Sequence, residues 1–202
     1  GMSPAQALYP TSTVGTATAD AISSDWYHAS AASAGAFAAK AGTYSVLSLD
    51  ASGKDASDHN YYVKKVFNIR SVSSSKVAED LKVSRVNVTG ASHALSKAIR
   101  VAVVNNGTTV IYAPYGYAAD VTYSVATAVD GDGKATMGTD NVTALYATEE
   151  STVIADTVPA TNGDDVVVYI WFEGEDTNHF SDNIAQGLDT ISIDVDFTAT
   201  IE

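Results

Sequence analysis

Cysteine is absent from this chain, and with it go disulfides, thiolate nucleophiles and cysteine-ligated zinc. Proline is scarce at four residues, and basic side chains number 11 against 24 acidic ones. The resulting formal charge of -13 repels phosphate backbones and anionic lipid surfaces, so nucleic acid is not an expected partner. No apolar run reaches the roughly 18 to 20 residues that a membrane-spanning helix needs. Also missing are a Gly-x-Ser-x-Gly elbow, a His-Glu-x-x-His zinc helix and a glycine-rich phosphate loop after a strand. The four histidines, His28, His59, His93 and His179, stand far apart in polar or small-residue contexts. A triad can assemble from distant residues, but nothing in the pattern marks one, and no catalytic residue is expected.

What is present is a 202-residue chain, enough for one domain, rich in Ala, Ser, Thr, Val and Tyr. That usage favours strands and small-residue loops over long helices. Its Ser/Thr/Ala-rich, acidic, lysine-poor character suits an exported, extracellular or cell-surface protein. The opening Gly1-Met2 reads as a tag-cleavage scar on a truncated chain, so the lack of a signal peptide carries no information about export.

Strand signals recur along the chain. Residues 12–23, "STVGTATADAIS", hint at period 2, and Trp26 and Tyr27 follow. Residues 29–42, "ASAASAGAFAAKAG", form an Ala/Ser/Gly segment read as a loop, so 1–42 is expected to be a flexible or strand-donating N-terminal segment and 43–202 a β-sandwich domain. Within that domain "TYSVLSL" (43–49) alternates as a strand and "DASGKDASDHN" (50–60) is a turn cluster. "YYVKKVFNIRSV" (61–72) and "LKVSRVNVT" (81–89) follow as strands. In the latter, Leu81 and Val83 share one parity and Val86 and Val88 the other, which predicts a bulge near Ser84 and Arg85. "IRVAVV" meets "TTVIYAP" across Asn105, Asn106 and Gly107, a strong hairpin signal. "VTALYA" and "STVIADTV" are short strands, and "DDVVVYIWF" (164–172) reads as a strand buried on both faces. From Ile191 to Ile201 every odd residue is apolar and every even one polar, the mark of a half-buried strand. No internal repeat is evident. The expected fold is all-β, an antiparallel sandwich of jelly-roll or Greek-key type.

Three places carry candidate chemistry. Asp130-Gly131-Asp132-Gly133 resembles the start of a calcium loop, but Ala135 stands where the EF-hand needs glycine, and an acidic turn explains the pattern better. Asp55, Asp58 and His59 are read the same way; calcium is the one metal with any pattern behind it, and no cofactor is expected. The third place is the acidic run after Phe172. There Glu173 and Glu175 share one parity at about 7 Å spacing, which suits a glycosidase acid/base pair or, equally, a charged corner that ties down a loop. The corner is the preferred reading, with Trp171 and Tyr169 anchored in or near the core and Gly174 permitting the reversal.

Four stretches, "NYYVKKVFNIRS" (60–71), "LSKAIRVAVV" (95–104), "VVVYIWFEGED" (166–176) and the terminal "ISIDVDFTATI", together resemble the exported surface proteins of Gram-positive bacteria related to TasA and camelysin. The most telling element is Trp-x-Glu-Gly-x-Asp, matched by Trp171, Glu173, Gly174 and Asp176. Many relatives carry a cysteine a few residues further on, where this chain has His179 and Phe180. The resemblance implies a jelly-roll domain outside the cell that self-associates into fibres by donating an N-terminal strand to the next subunit. Camelysin-type members are described as metalloproteases, an activity not carried over in the absence of a zinc motif. The expected function is therefore a non-enzymatic extracellular structural protein, a fibre or biofilm-matrix subunit. The alternative is a jelly-roll adhesin or glycan-binding module, with Tyr112, Tyr115, Tyr117 and Tyr123 as stacking surfaces. Asn87, Asn106 and Asn141 each open a glycosylation sequon, a pattern short enough to arise by chance.

Overall fold

The structure, a computed structural model, describes residues 8–12, 26–28, 47–72, 75–89, 99–106, 108–112, 143–145, 153–173 and 192–201. Every regular element among them is a strand: β1 (Thr11–Ser12), β2 (Tyr27–His28), β3 (Tyr62–Ile69), β4 (Ala78–Thr89), β5 (Ile99–Asn105), β6 (Thr108–Tyr112), β7 (Thr143–Leu145), β8 (Val153–Val158), β9 (Asp164–Phe172) and β10 (Ser192–Ile201). The expected all-β class is what forms. One antiparallel sheet runs β3-β9-β5-β6; the other is built on β4, with β10 along one side and β7 and β8 along the other. The jelly-roll or Greek-key connectivity runs through segments outside the described residues.

The two sheets close over one apolar core. Leu81, Val83 and Val86 of β4 and Ile154 and Val158 of β8 meet Val101 and Val103 of β5 and Val166, Val168 and Phe172 of β9. The bulge lies where the sequence places it. Asp196 pairs with Arg85 and Phe197 with Val83, so Ser84 is the unpaired extra residue. That single residue moves the inward parity from odd to even, which is why Val83 and Val86 are both wholly buried. A second shift falls around Asp80, whose φ of 52° is left-handed. Opposite, β10 alternates exposed and half-buried residues, its odd side chains Ile193, Val195, Phe197 and Ala199 packing on the core. Ile201 departs from the pattern at 50% exposure.

The β5–β6 hairpin is likewise where Asn-Gly places it, with Asn105 opposite Thr108 and Asn106 at φ 43°. Two carboxylates at the head of β9 fasten this end of the sheet. Asp164 accepts from Asn105 Nδ2 at 2.8 Å, and Asp165 accepts from Asn68 Nδ2 at 2.9 Å, joining three strands. The preceding turn needs a glycine: Gly163 has φ +67°, and a Cβ there would lie 2.6 Å from the Ile69 carbonyl oxygen.

One expected strand does not form over its described part. Residues 47–50 take no ladder, although their alternation is real: Leu47 and Leu49 are half-buried and Ser48 is exposed. Leu47 donates one backbone bond to the Trp26 carbonyl at 2.7 Å, and the Asp50 turn then ends the segment before a second can form. Tyr112 is no stacking surface either. It is wholly buried, with burial pushing its phenol above the usual tyrosine range. Tyr115, Tyr117 and Tyr123 lie outside the described residues.

Candidate functional site

The alternation of β9 sorts its side chains by kind. Val166, Val168 and Phe172 face the aliphatic core between the sheets, while Tyr169 and Trp171 face outward, onto a second and separate cluster. This outer cluster holds Trp26, Tyr62, Ala102 and Trp171, with Leu47, Leu49 and Tyr169 packed against it. Trp26 stacks on Tyr62 with ring centroids 4.6 Å apart and meets Trp171 edge-on at 5.4 Å. Tyr62 in turn contacts Tyr169 edge-on at 5.6 Å, and the Lys64 ammonium lies 5.5 Å from the Tyr169 ring centroid. Trp171 is wholly buried although it points away from the sandwich core, because the N-terminal part of the chain covers it.

Glu173 is also wholly buried. It shares the Trp171 face and accepts a hydrogen bond from the indole Nε1–H at 3.0 Å. Across the ladder from Trp171 sits Arg100, buried in turn, whose guanidinium donates to the Ile99 carbonyl at 3.1 Å. The N-terminal segment closes this corner. Leu8 bridges to Asn60, the Tyr9 amide donates to the Asn60 carbonyl at 2.7 Å, and Thr11, itself buried, bridges to Glu173. From Thr11 and Ser12 the pairing passes to His28 and Tyr27, next to Trp26. Of the acidic motif, Trp171 and Glu173 are thus brought together with the N-terminal segment, while Gly174, Glu175, Asp176 and His179 lie outside the described residues.

Contrary to the expectation of no internal repeat, the turn cluster at 50–60 contains a short tandem one of five residues: Asp-Ala-Ser-Gly-Lys, then Asp-Ala-Ser-Asp-His. Both copies fold alike. Asp50 Oδ1 accepts from the Ser52 and Lys54 amides, and Asp55 Oδ1 accepts from the Ser57 and His59 amides. The amides of Asp50 and Asp55 donate to the carbonyls of Lys54 and His59. The fourth residue is left-handed in each, Gly53 at φ 88° and Asp58 at 65°. These bonds hold both carboxyls below the usual aspartate range: for Asp50 chiefly the Ser52 hydroxyl and then the Lys54 amide, for Asp55 chiefly the His59 amide. Lys54 Nζ ties the copies together, 2.6 Å from Asp58 Oδ1. The repeat is a backbone clamp and a rest for the outer cluster: a Cβ on Gly53 would meet the Tyr62 ring at 2.8 Å. Among the described residues no three His, Asp or Glu side chains converge as metal ligands do.

A shallow cavity of about 350 Å³ lies between the sheets at the hairpin end, lined by residues that include Asn105, Asn106, Thr108, Asp156, Thr157 and Asp164. Comparison with family models, curated proteins and solved structures finds no match.

Proposed function

We propose that this protein is a non-enzymatic structural subunit of the extracellular surface, built to join copies of itself into fibres or matrix by exchanging its N-terminal segment. One observation carries the reading: the segment is bound to its own sandwich by separable contacts. Residues 8–12 attach through a backbone bond and isolated bridges, and Trp26 inserts as an aromatic plug between Tyr62 and Trp171. An element that packs this way within one chain fits the identical surface of a neighbour, and an open chain of such exchanges is a fibre. The burial of Glu173 under Thr11 also argues for a joint rather than a catalytic carboxylate, since a general acid must reach its substrate.

Electron microscopy and light scattering over a range of concentrations test this, comparing the whole chain with one lacking residues 1–42 and with Trp26→Ala. Concentration-dependent filaments that vanish in both altered chains are expected. A whole chain that stays monomeric throughout sinks the reading. A second reading, a glycan-binding module, draws on the polar cavity, where amide and carboxylate groups match sugar hydroxyls; binding on a glycan array that Asp156→Ala abolishes would favour it.

A further inference from the structure

The two sheets each end in a long strand, and the two ends carry opposite charge. β3 closes one sheet and β10 the other, and among the described residues each pairs on one side only. Residues 64–68 of β3 are all exposed, including Val66 at 55% and Phe67 at 46%, which is unusual for apolar residues within an eight-residue strand. Within β3 the charged residues are Lys64 and Lys65, in a chain whose net charge is -13; within β10 they are Asp194 and Asp196, both exposed. Edge lysines ordinarily keep sheets from pairing. Here they act selectively: β3 against β3 sets lysine on lysine, β10 against β10 sets aspartate on aspartate, and only β3 against β10 brings opposite charges together.

We infer that the β3 edge is a docking surface for the β10 edge of a second copy of this chain. The strand orders place both edges on the same flank of the sandwich, because β8 packs against β5 and β6 on the other flank and β10 lies beyond β4 from it. The contact is therefore made twice, β3 to the partner's β10 and β10 to the partner's β3, around a two-fold axis along the strands. Within one copy β3 and β10 both run toward the Asn105 hairpin end, so this axis sets β3 parallel to the partner's β10, and a register with Asp196 beside Lys64 brings Ala199 beside Phe67, covering a ring that each copy leaves 46% exposed. This dimer uses none of the N-terminal contacts and stands apart from strand exchange.

Sedimentation velocity on the whole chain tests it with two charge-reversed variants, Lys64→Glu/Lys65→Glu and Asp194→Lys/Asp196→Lys. The wild type is expected to dimerise, more weakly as salt rises. Each variant alone turns the attractive cross-strand pairs into repulsive ones and loses about 100-fold in affinity or more, whereas an equimolar mixture of the two recovers the dimer, which also shows that both fold. Trp26→Ala is expected to leave the dimer intact. Variants that dimerise like the wild type, a mixture that stays monomeric, a wild type monomeric at every concentration, or a dimer lost in Trp26→Ala would each overturn the inference. Filaments persisting where the dimer fails would leave strand exchange standing alone.

Discussion

Trp26→Ala probes the joint between the N-terminal segment and the sandwich. Trp26 is only 5% exposed, so the substitution removes nearly a whole buried indole. A buried tryptophan hides about 150 to 250 Å², which at about 25 cal/mol per Å² corresponds to about 4 to 6 kcal/mol. Alanine retains part of that, and truncations of this kind in cores cost about 3 to 5 kcal/mol. Against a typical total of about 5 to 15 kcal/mol, such a loss is easily resolved by urea unfolding. The chain has two tryptophans, so the variant leaves Trp171 as the sole indole reporter. Trp171 is 0% exposed beneath Trp26, and in the variant its emission should move to the red and become open to acrylamide quenching. Trp171 emission unchanged from the wild type, with stability within about 0.5 kcal/mol of it, would refute the view that the N-terminal segment covers the outer face.

Gly163→Ala forces a side chain into a left-handed backbone and against the Ile69 carbonyl; a loss of about 2 kcal/mol or more is expected, read as a lower urea midpoint at unchanged slope. Asn106→Gly keeps the hairpin and should be close to neutral in thermal unfolding, whereas Asn106→Ala, at φ 43°, should lower stability by about 1 to 2 kcal/mol. For Asp50 and Asp55, the folded chain lowers both carboxyls from an ordinary 3.8. Their contribution to the 50–59 loop is then complete above that value and disappears as pH falls through the lower folded values. In an NMR acid titration the amides of Ser52, Lys54, Ser57 and His59 should hold their positions to below pH 3.8 and then move together; movement centred above that value would contradict the clamp.

Local backbone events were the most legible part of the sequence. The parity break in β4, the Asn-Gly turn and the alternation of β10 as far as Thr200 each rest on a few adjacent residues, and each appears where the pattern places it. Contacts that join distant segments were not legible. Nothing near Trp26 announces that it will lie against Tyr62 and Trp171, and an aromatic in a small-residue context looks the same whether it plugs a sheet or hangs in water. The same blindness applied to Glu173, which reads as a rim charge because its neighbours are acidic, and to Arg100, which interrupts an otherwise apolar strand. Both are wholly buried, Glu173 where Thr11 of the N-terminal segment bridges to it and Arg100 across the ladder from Trp171. The five-residue repeat was visible in principle, since Asp-Ala-Ser occurs twice in immediate succession, and its shared hydrogen bonds give the coincidence a physical meaning.

The two-sided burial of β9 bears on how its register is chosen. Hydropathy alone cannot tell the strand which way to face, because apolar residues fill both parities from Val166 to Phe172. Slipping by one position would exchange one greasy surface for another at little cost in transfer energy. What would be lost is fit: tryptophan and tyrosine rings would be pushed into a layer sized for valine and isoleucine, and valines would be set against a shelf of rings. In this strand, shape supplies the information that polarity supplies elsewhere in the chain, so swapping residues between its two faces should be more disruptive than replacing any of them with a residue of similar volume.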